Sequence, residues 1–157
     1  MTLDGLYCKS VATVRRDATV ADAARAMRDA QVRDLVVVDP GDARRPVGII
    51  TDRDIAIKIV GQGLNPAWVP VEHMMSAPAF SLRDRDGVYE ALKKMAARGV
   101  RRAPVVDPEG RLTGLVAVDD LLALLAQELA RISVLLRRGR IAEVRGTDDA
   151  VEEELSA

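Results

Sequence analysis

Near-continuous runs of aliphatic residues alternate along the chain with stretches whose apolar positions recur at helical spacing. Residues 35–38 and 47–50 are β-branched and leucine-rich runs, the mark of buried strands, and the turn residues between them predict a hairpin. Ahead of them a short extended piece at 11–14 leads into a helix over 21–30, with Ala23, Ala24 and Met27 facing inward. Behind them a second helix is expected over 51–60, with Ile55, Ile59 and Val60 as its apolar face. The same order then returns: an extended piece at 79–82, a helix over 88–97, strands at 103–106 and 112–116, and a helix from about Asp119.

This recurrence is an internal repeat, which settles architecture more firmly than any single element. Residues 20–40 lie over 88–108 at an offset of 68, with nine of twenty-one positions identical. After that block the register slips by two, so that 47–50 lie over 113–116 at an offset of 66. The slip falls in the turn at 39–46, which is longer by two than its counterpart at 107–112 and carries proline and glycine as that one does. Neither repeat alone can cover both faces of a three-stranded sheet with two helices, so the two are expected to pack with pseudo-twofold symmetry. Residues 61–70, with two glycines and two prolines, read as the connector.

The last helix is expected to continue through Leu121, Leu122, Leu124, Leu125, Leu129, Ile132, Leu135 and Leu136 and to end at Arg137, Arg138, Gly139 and Arg140. Its apolar face fits either core packing or a homodimer contact. The acidic residues after Gly146 read as a solvated tail. The organisation predicted is a first motif over 1–65 with a lead-in, a second over 66–128, and a C-terminal helical extension with the tail over 129–157.

Composition narrows the function classes. Twenty-three Lys and Arg against twenty-four Asp and Glu, interspersed, leave a net charge of -1, which disfavours a general nucleic-acid binder. An aromatic content of 3% also leaves few platforms for stacked bases. No apolar run is long enough for a bilayer, and the opening residues carry no secretory pattern; a cytoplasmic protein without a membrane partner is expected. A single cysteine, Cys8, cannot form an internal disulfide and is expected to be buried or half-buried. A single histidine, His73, offers no histidine-rich metal site. No nucleophile-base constellation is present, so the chain is expected not to be an enzyme.

The residues that invite chemistry lie where the hairpin meets the following helix, in Gly48-Ile49-Ile50-Thr51-Asp52-Arg53-Asp54. Glycine admits a close backbone or ligand, a helix start presents N–H groups to phosphate, and Thr51 adds a hydroxyl. Asp54 has two acceptor oxygens suited to the vicinal hydroxyls of a ribose. The same spacing is that of a capping box, in which Thr51 and Asp54 satisfy the helix end; the two roles can coexist. In the second repeat Gly114 and Asp120 are kept, but Ala117 replaces the threonine. A second site there is expected to hold phosphate poorly or stay empty.

This heptad resembles the end of the last strand in CBS (cystathionine beta-synthase) motifs. Val36-Val37-Val38-Asp39, Ala103-Pro104-Val105-Val106-Asp107 and the opening at 71–78 resemble other parts of the family pattern, over roughly residues 7–126 in all. The resemblance implies a mixed α/β (α+β) fold of tandem CBS motifs, each a three-stranded sheet with two helices, forming a stand-alone pair (a Bateman module). It implies a non-catalytic regulatory sensor with no required cofactor, whose cleft takes AMP, ADP, ATP, S-adenosylmethionine or NADH. It further implies phosphate and ribose contacts at Thr51 and Asp54. The base would lie against the opening strand of the same motif and the strand before the heptad, at Lys9, Ser10, Ala12, Leu35 and Val36. Arg33, Arg53, Arg101 and Arg102 are candidate cations for the phosphates, Arg102 and Arg53 foremost. Asp120, Ala103 and Pro104 would mark the weaker second site. A homodimer with a protein effector is the expected assembly, and a ligand-free dimerisation or docking module is the alternative.

Overall fold

The computed structural model describes residues 2–155, with side chains through residue 137. It holds two three-stranded sheets of the same plan. In the first, β1 (Thr13–Arg15) pairs in parallel with β2 (Asp34–Asp39), which pairs antiparallel with β3 (Asp42–Thr51). In the second, β4 (Leu82–Arg83), β5 (Arg102–Val106) and β6 (Leu112–Ala117) repeat that order. Helix α1 (Val20–Ala30) connects β1 to β2, and α3 (Val88–Arg98) connects β4 to β5. Both crossovers are the short helical link a parallel strand pair requires.

The helix faces follow from composition. Val20, Ala23 and Met27 of α1 are buried, and so are Val88, Ala91 and Met95 at the same repeat positions of α3. Ala24 is exposed, so the inward face turns on Ala23 and the expectation for Ala24 is corrected: four-residue spacing back from Met27 selects position 23. Thr19 caps α1, accepting from the Asp22 N–H at 3.1 Å, while Asp22 accepts from the Thr19 N–H at 3.1 Å. Both helices stop in a left-handed residue, Gln31 (φ 53°) and Gly99 (φ 62°). Leu35, Val36 and Val37 of β2 are fully buried, as a strand covered on both faces must be.

Three further expectations change. The turn predicted at 39–46 is mostly strand, because β3 begins at Asp42 and irregularities around Val38 absorb the extra residues. The helix expected over 51–60 is four residues of α2 (Asp52–Ile55) followed by a π-helical turn, Ala56–Val60. That wider turn rotates the apolar face, so Ile59 is buried and Val60 is 74% exposed. The last helix, α4 (Val118–Leu155), does not end at Arg137–Arg140. Its two interior glycines, Gly139 and Gly146, cost about 1 kcal/mol each against alanine, which the helix formers around them carry.

Two compact units result, one reaching to Asp120 and one from Leu121 onward. The first contains both sheets. The second is the body of α4, on which Leu122, Leu129, Ile132, Leu135 and Leu136 are exposed. No helix among the described residues is long and apolar enough to cross a membrane.

Candidate functional site

The two repeats are joined by an exchange of their opening segments. Cys8 of the first lead-in pairs with Leu115 in β6 of the second repeat, through N–H to carbonyl bonds of 3.0 Å in both directions. Ser76 of the second lead-in pairs with Ile49 in β3 of the first, at 2.8 and 3.2 Å. These two bridges are repeat equivalents, at offsets of 68 and 66, which is direct geometric support for the pseudo-twofold.

The exchange explains the heptad glycines. A Cβ on Gly48 would lie 2.6 Å from the Met75 sulfur and 2.9 Å from the Ser76 carbonyl oxygen. A Cβ on Gly114 would meet the Tyr7 ring and come to 2.7 Å from the Cys8 carbonyl oxygen. In both repeats the glycine therefore admits the other repeat's backbone. Lys9 and Ser10 follow this crossing over the second sheet, and the segment beside the first heptad is 76–80. Cys8, in the exchanged segment, is exposed rather than buried.

Beside the first heptad lies a cleft of about 570 Å³. Its apolar wall is Ile49, Pro78, Ala79, Phe80 and Val100, with Ser76 at one side. Its charged lining is four arginines, Arg33, Arg53, Arg101 and Arg102, and three aspartates, Asp34, Asp52 and Asp119. Arg33 Nε meets Asp52 Oδ2 at 3.1 Å, and Arg101 Nη2 meets Asp119 Oδ1 at 3.2 Å. Arg102 is bonded to Asp34. Among the described residues Arg53 makes no ion pair. The Arg98 guanidinium stands 5.3 Å from the centre of the Phe80 ring, just outside the lining.

Thr51 and Asp54 form a complete capping box. The Thr51 N–H and hydroxyl both donate to Asp54 Oδ2, at 3.1 and 2.8 Å, and Thr51 Oγ1 accepts from the Asp54 N–H at 3.1 Å. Asp54 Oδ1 holds Lys58 Nζ at 2.8 Å, and that ammonium also donates to the Met74 carbonyl at 2.8 Å. Burial opposes ionisation of Asp54, but hydrogen bonds from Lys58 and Thr51 outweigh it and hold the carboxyl below its ordinary range.

The start of α2 is satisfied in the same way. The Asp52 N–H donates to the Arg33 carbonyl at 2.9 Å, and the Arg53 N–H donates to the Asp52 carboxylate at 2.7 Å. The expected open phosphate seat at this helix end is thus corrected: its first three N–H groups already have protein acceptors. Cationic side chains are what the cleft offers an anion.

Of the residues singled out in the sequence, Thr51, Arg53, Arg102, Arg33 and Arg101 line this one cleft. Asp54 is one turn on, turned into the box. Lys9, Ser10, Ala12, Leu35 and Val36 are not in the lining; Val36 is fully buried, and its N–H donates to the Ala12 carbonyl at 3.1 Å. Ala103 and Pro104 are buried in β5, and Asp120 is exposed in the first turn of α4.

Sequence reasoning missed Phe80, Ser76, Val100 and Asp34. A signal for Asp34 existed. It is repeat-equivalent to Arg102, and a twofold brings equivalent positions together at its axis.

Two sheets on one plan, exchanged openings and a charged cleft at the repeat junction define a tandem-motif module built around an inter-repeat cleft. The CBS domain model matches residues 5–61 and again 71–127, and the chain belongs to the CBS domain family. An uncharacterised protein of Methanopyrus kandleri is 40% identical over 104 residues, 66% of this chain. The chain spans only 52% of that relative's own length. The CBS domain-containing protein YhcV of Bacillus subtilis is 36% identical over 71% of this chain and 76% of its own. Among solved structures, the CBS domain protein PAE2072 of Pyrobaculum aerophilum, complexed with AMP, superposes with a TM-score of 0.71 at 24% identity, over 81% of this chain and 99% of its own.

Proposed function

We propose that the chain is a non-catalytic regulatory module whose inter-repeat cleft binds an adenosine phosphate, AMP, ADP or ATP, inside the cell. The observation that carries this reading is the meeting, in one cleft of about 570 Å³, of an apolar wall containing Phe80, Ile49 and Val100 with four arginines. That volume lies within the range of small-molecule sites, and apolar walls with a few placed charges are their usual lining. A purine fits the wall and a phosphate fits the guanidiniums. The AMP held by the Pyrobaculum neighbour accords with this reading, although at that identity the likeness speaks for the fold. S-adenosylmethionine and NADH belong to the same test.

Ligand binding is read out through assembly. Leu122, Leu129, Ile132 and Leu135 lie exposed on α4, and we assign this apolar face to a homodimer that an effector protein recognises. A ligand changes such an assembly only by preferring one of its states.

The test is thermal unfolding with each adenosine compound. A ligand at a hundred times its dissociation constant adds about 2.7 kcal/mol of stability. An upward shift with at least one compound, reduced in Arg102→Gln, supports the reading. The alternative of a ligand-free docking module is favoured by the saturated Thr51–Asp54 box, and it predicts no shift with any compound at millimolar concentration.

A further inference from the structure

Asp34 is the one charged residue that is buried among the described residues, 8% exposed, and it opens β2 directly across the ladder from Thr51. Its partner Arg102 opens β5 of the other repeat, across the ladder from Ala117. The pair is therefore the only ion pair among the described residues that ties one sheet to the other. It also stands in the lining of the cleft, where Arg102 is half-exposed while Asp34 is not. A buried carboxylate that shares its space with Asp52 is poorly solvated and depends on its one guanidinium.

We propose, resting on the reading above, that the Asp34–Arg102 pair is a clasp between the two motifs, which the anionic group of the ligand opens by taking Arg102 from Asp34. The guanidinium faces solvent and can turn to a phosphate with bidentate geometry. Asp34, fixed at the strand start, cannot follow it. Binding of an anion thus trades an inter-repeat bond for a ligand bond, which couples the charge of the ligand to the packing of the repeats. The trade also makes the cleft selective. Phosphate contributes less to affinity than four arginines would suggest, because the clasp must be broken to use Arg102.

Calorimetric titration of the full chain with AMP, adenosine and inorganic phosphate tests this, on wild type, Asp34→Asn and Arg102→Gln, with circular dichroism to confirm folding. With the competing carboxylate neutralised, Asp34→Asn should bind AMP about tenfold more tightly while adenosine changes by less than about twofold. Arg102→Gln should bring AMP down towards adenosine; because it strands the Asp34 carboxylate, the double variant Asp34→Asn/Arg102→Gln, which leaves no unpaired buried charge, carries the same comparison should either single variant fail to fold. Equal AMP affinity in wild type and Asp34→Asn, or an unchanged ratio of AMP to adenosine in Arg102→Gln, overturns the clasp and leaves the proposed function standing. Phosphate binding tightened by Asp34→Asn with no adenosine compound bound supports the clasp and overturns the adenosine reading. Absence of binding by all three probes to every protein overturns both.

Discussion

Two aspartates, one in the cleft wall and one just beyond it, sit in opposite electrostatic conditions. Asp54 is held below its ordinary value of 3.8 by Lys58 and Thr51 against the opposing effect of burial. Asp34 is pushed above 3.8, first by burial and then by Asp52, with Arg102 only partly offsetting them. By linkage, the Asp54 contribution to stability is present above pH 3.8 and fades as pH falls through its lower folded value. Asp34 has the reverse sign: its contribution is fully present below 3.8 and is lost as pH rises through its higher folded value. Urea unfolding of Asp54→Asn between pH 3 and pH 7 should therefore show a flatter acid limb than wild type, and Asp34→Asn a steeper one. Removing the cap hydroxyl alone, in Thr51→Ala, should cost about 1 kcal/mol at neutral pH; an unchanged denaturation midpoint would mean that the box contributes nothing.

At the scale of elements, the segment exchange makes the glycines the most sensitive positions of the module. Gly114→Ala should lose about 1–3 kcal/mol through overpacking against Tyr7 and the Cys8 backbone. Gly48→Ala should lose less, since the Met75 sulfur is the flexible part of a side chain and the backbone neighbour, the Ser76 carbonyl oxygen, is at 2.9 Å, against a ring and a carbonyl oxygen at 2.7 Å for Gly114. Denaturant titration of the two variants orders them. Helix α4 makes a separate prediction. On the proposed homodimer, Leu129→Glu should shift a sedimentation profile from dimer to monomer, and an unchanged profile would remove that face from the interface.

The same scale shows what could be read from the sequence alone. The strands and helices α1 and α3 were legible because apolar runs and four-residue spacing report burial directly, and because each repeat checks the other. The exchange was not, since a lead-in such as 8–12 carries no mark of which sheet it will join. Nor was the π-helical turn at Ala56–Val60, whose residues carry no mark that separates it from an ordinary helical turn. For the cleft, Thr51 and the arginines were legible from the heptad and from charge. The wall built by Phe80 and Val100 depends on the exchange and so was hidden with it. The capping box was legible as a possibility in the spacing; the Lys58 ammonium that takes the other Asp54 oxygen was not, because it lies outside the heptad.

For the whole molecule, two copies of one motif place their equivalent residues face to face, and the cleft takes its asymmetry from where the copies differ. Thr51 stands where the other repeat has Ala117, and Asp34 where it has Arg102. One side of the pseudo-twofold thus carries the hydroxyl and the buried carboxylate and the other Ala117 and Arg102, while each side supplies two of the four arginines. On the proposed function, the module takes one anionic ligand at this junction.

The most direct test of that claim is an amide NMR titration of the isotope-labelled chain with AMP. Saturable shifts concentrated at Thr51, Arg53, Phe80 and Arg102 and weak at Asp120 are expected. Shifts that are absent, or that gather around Lys9 and Asp120 while Thr51 and Phe80 stay still, would contradict it.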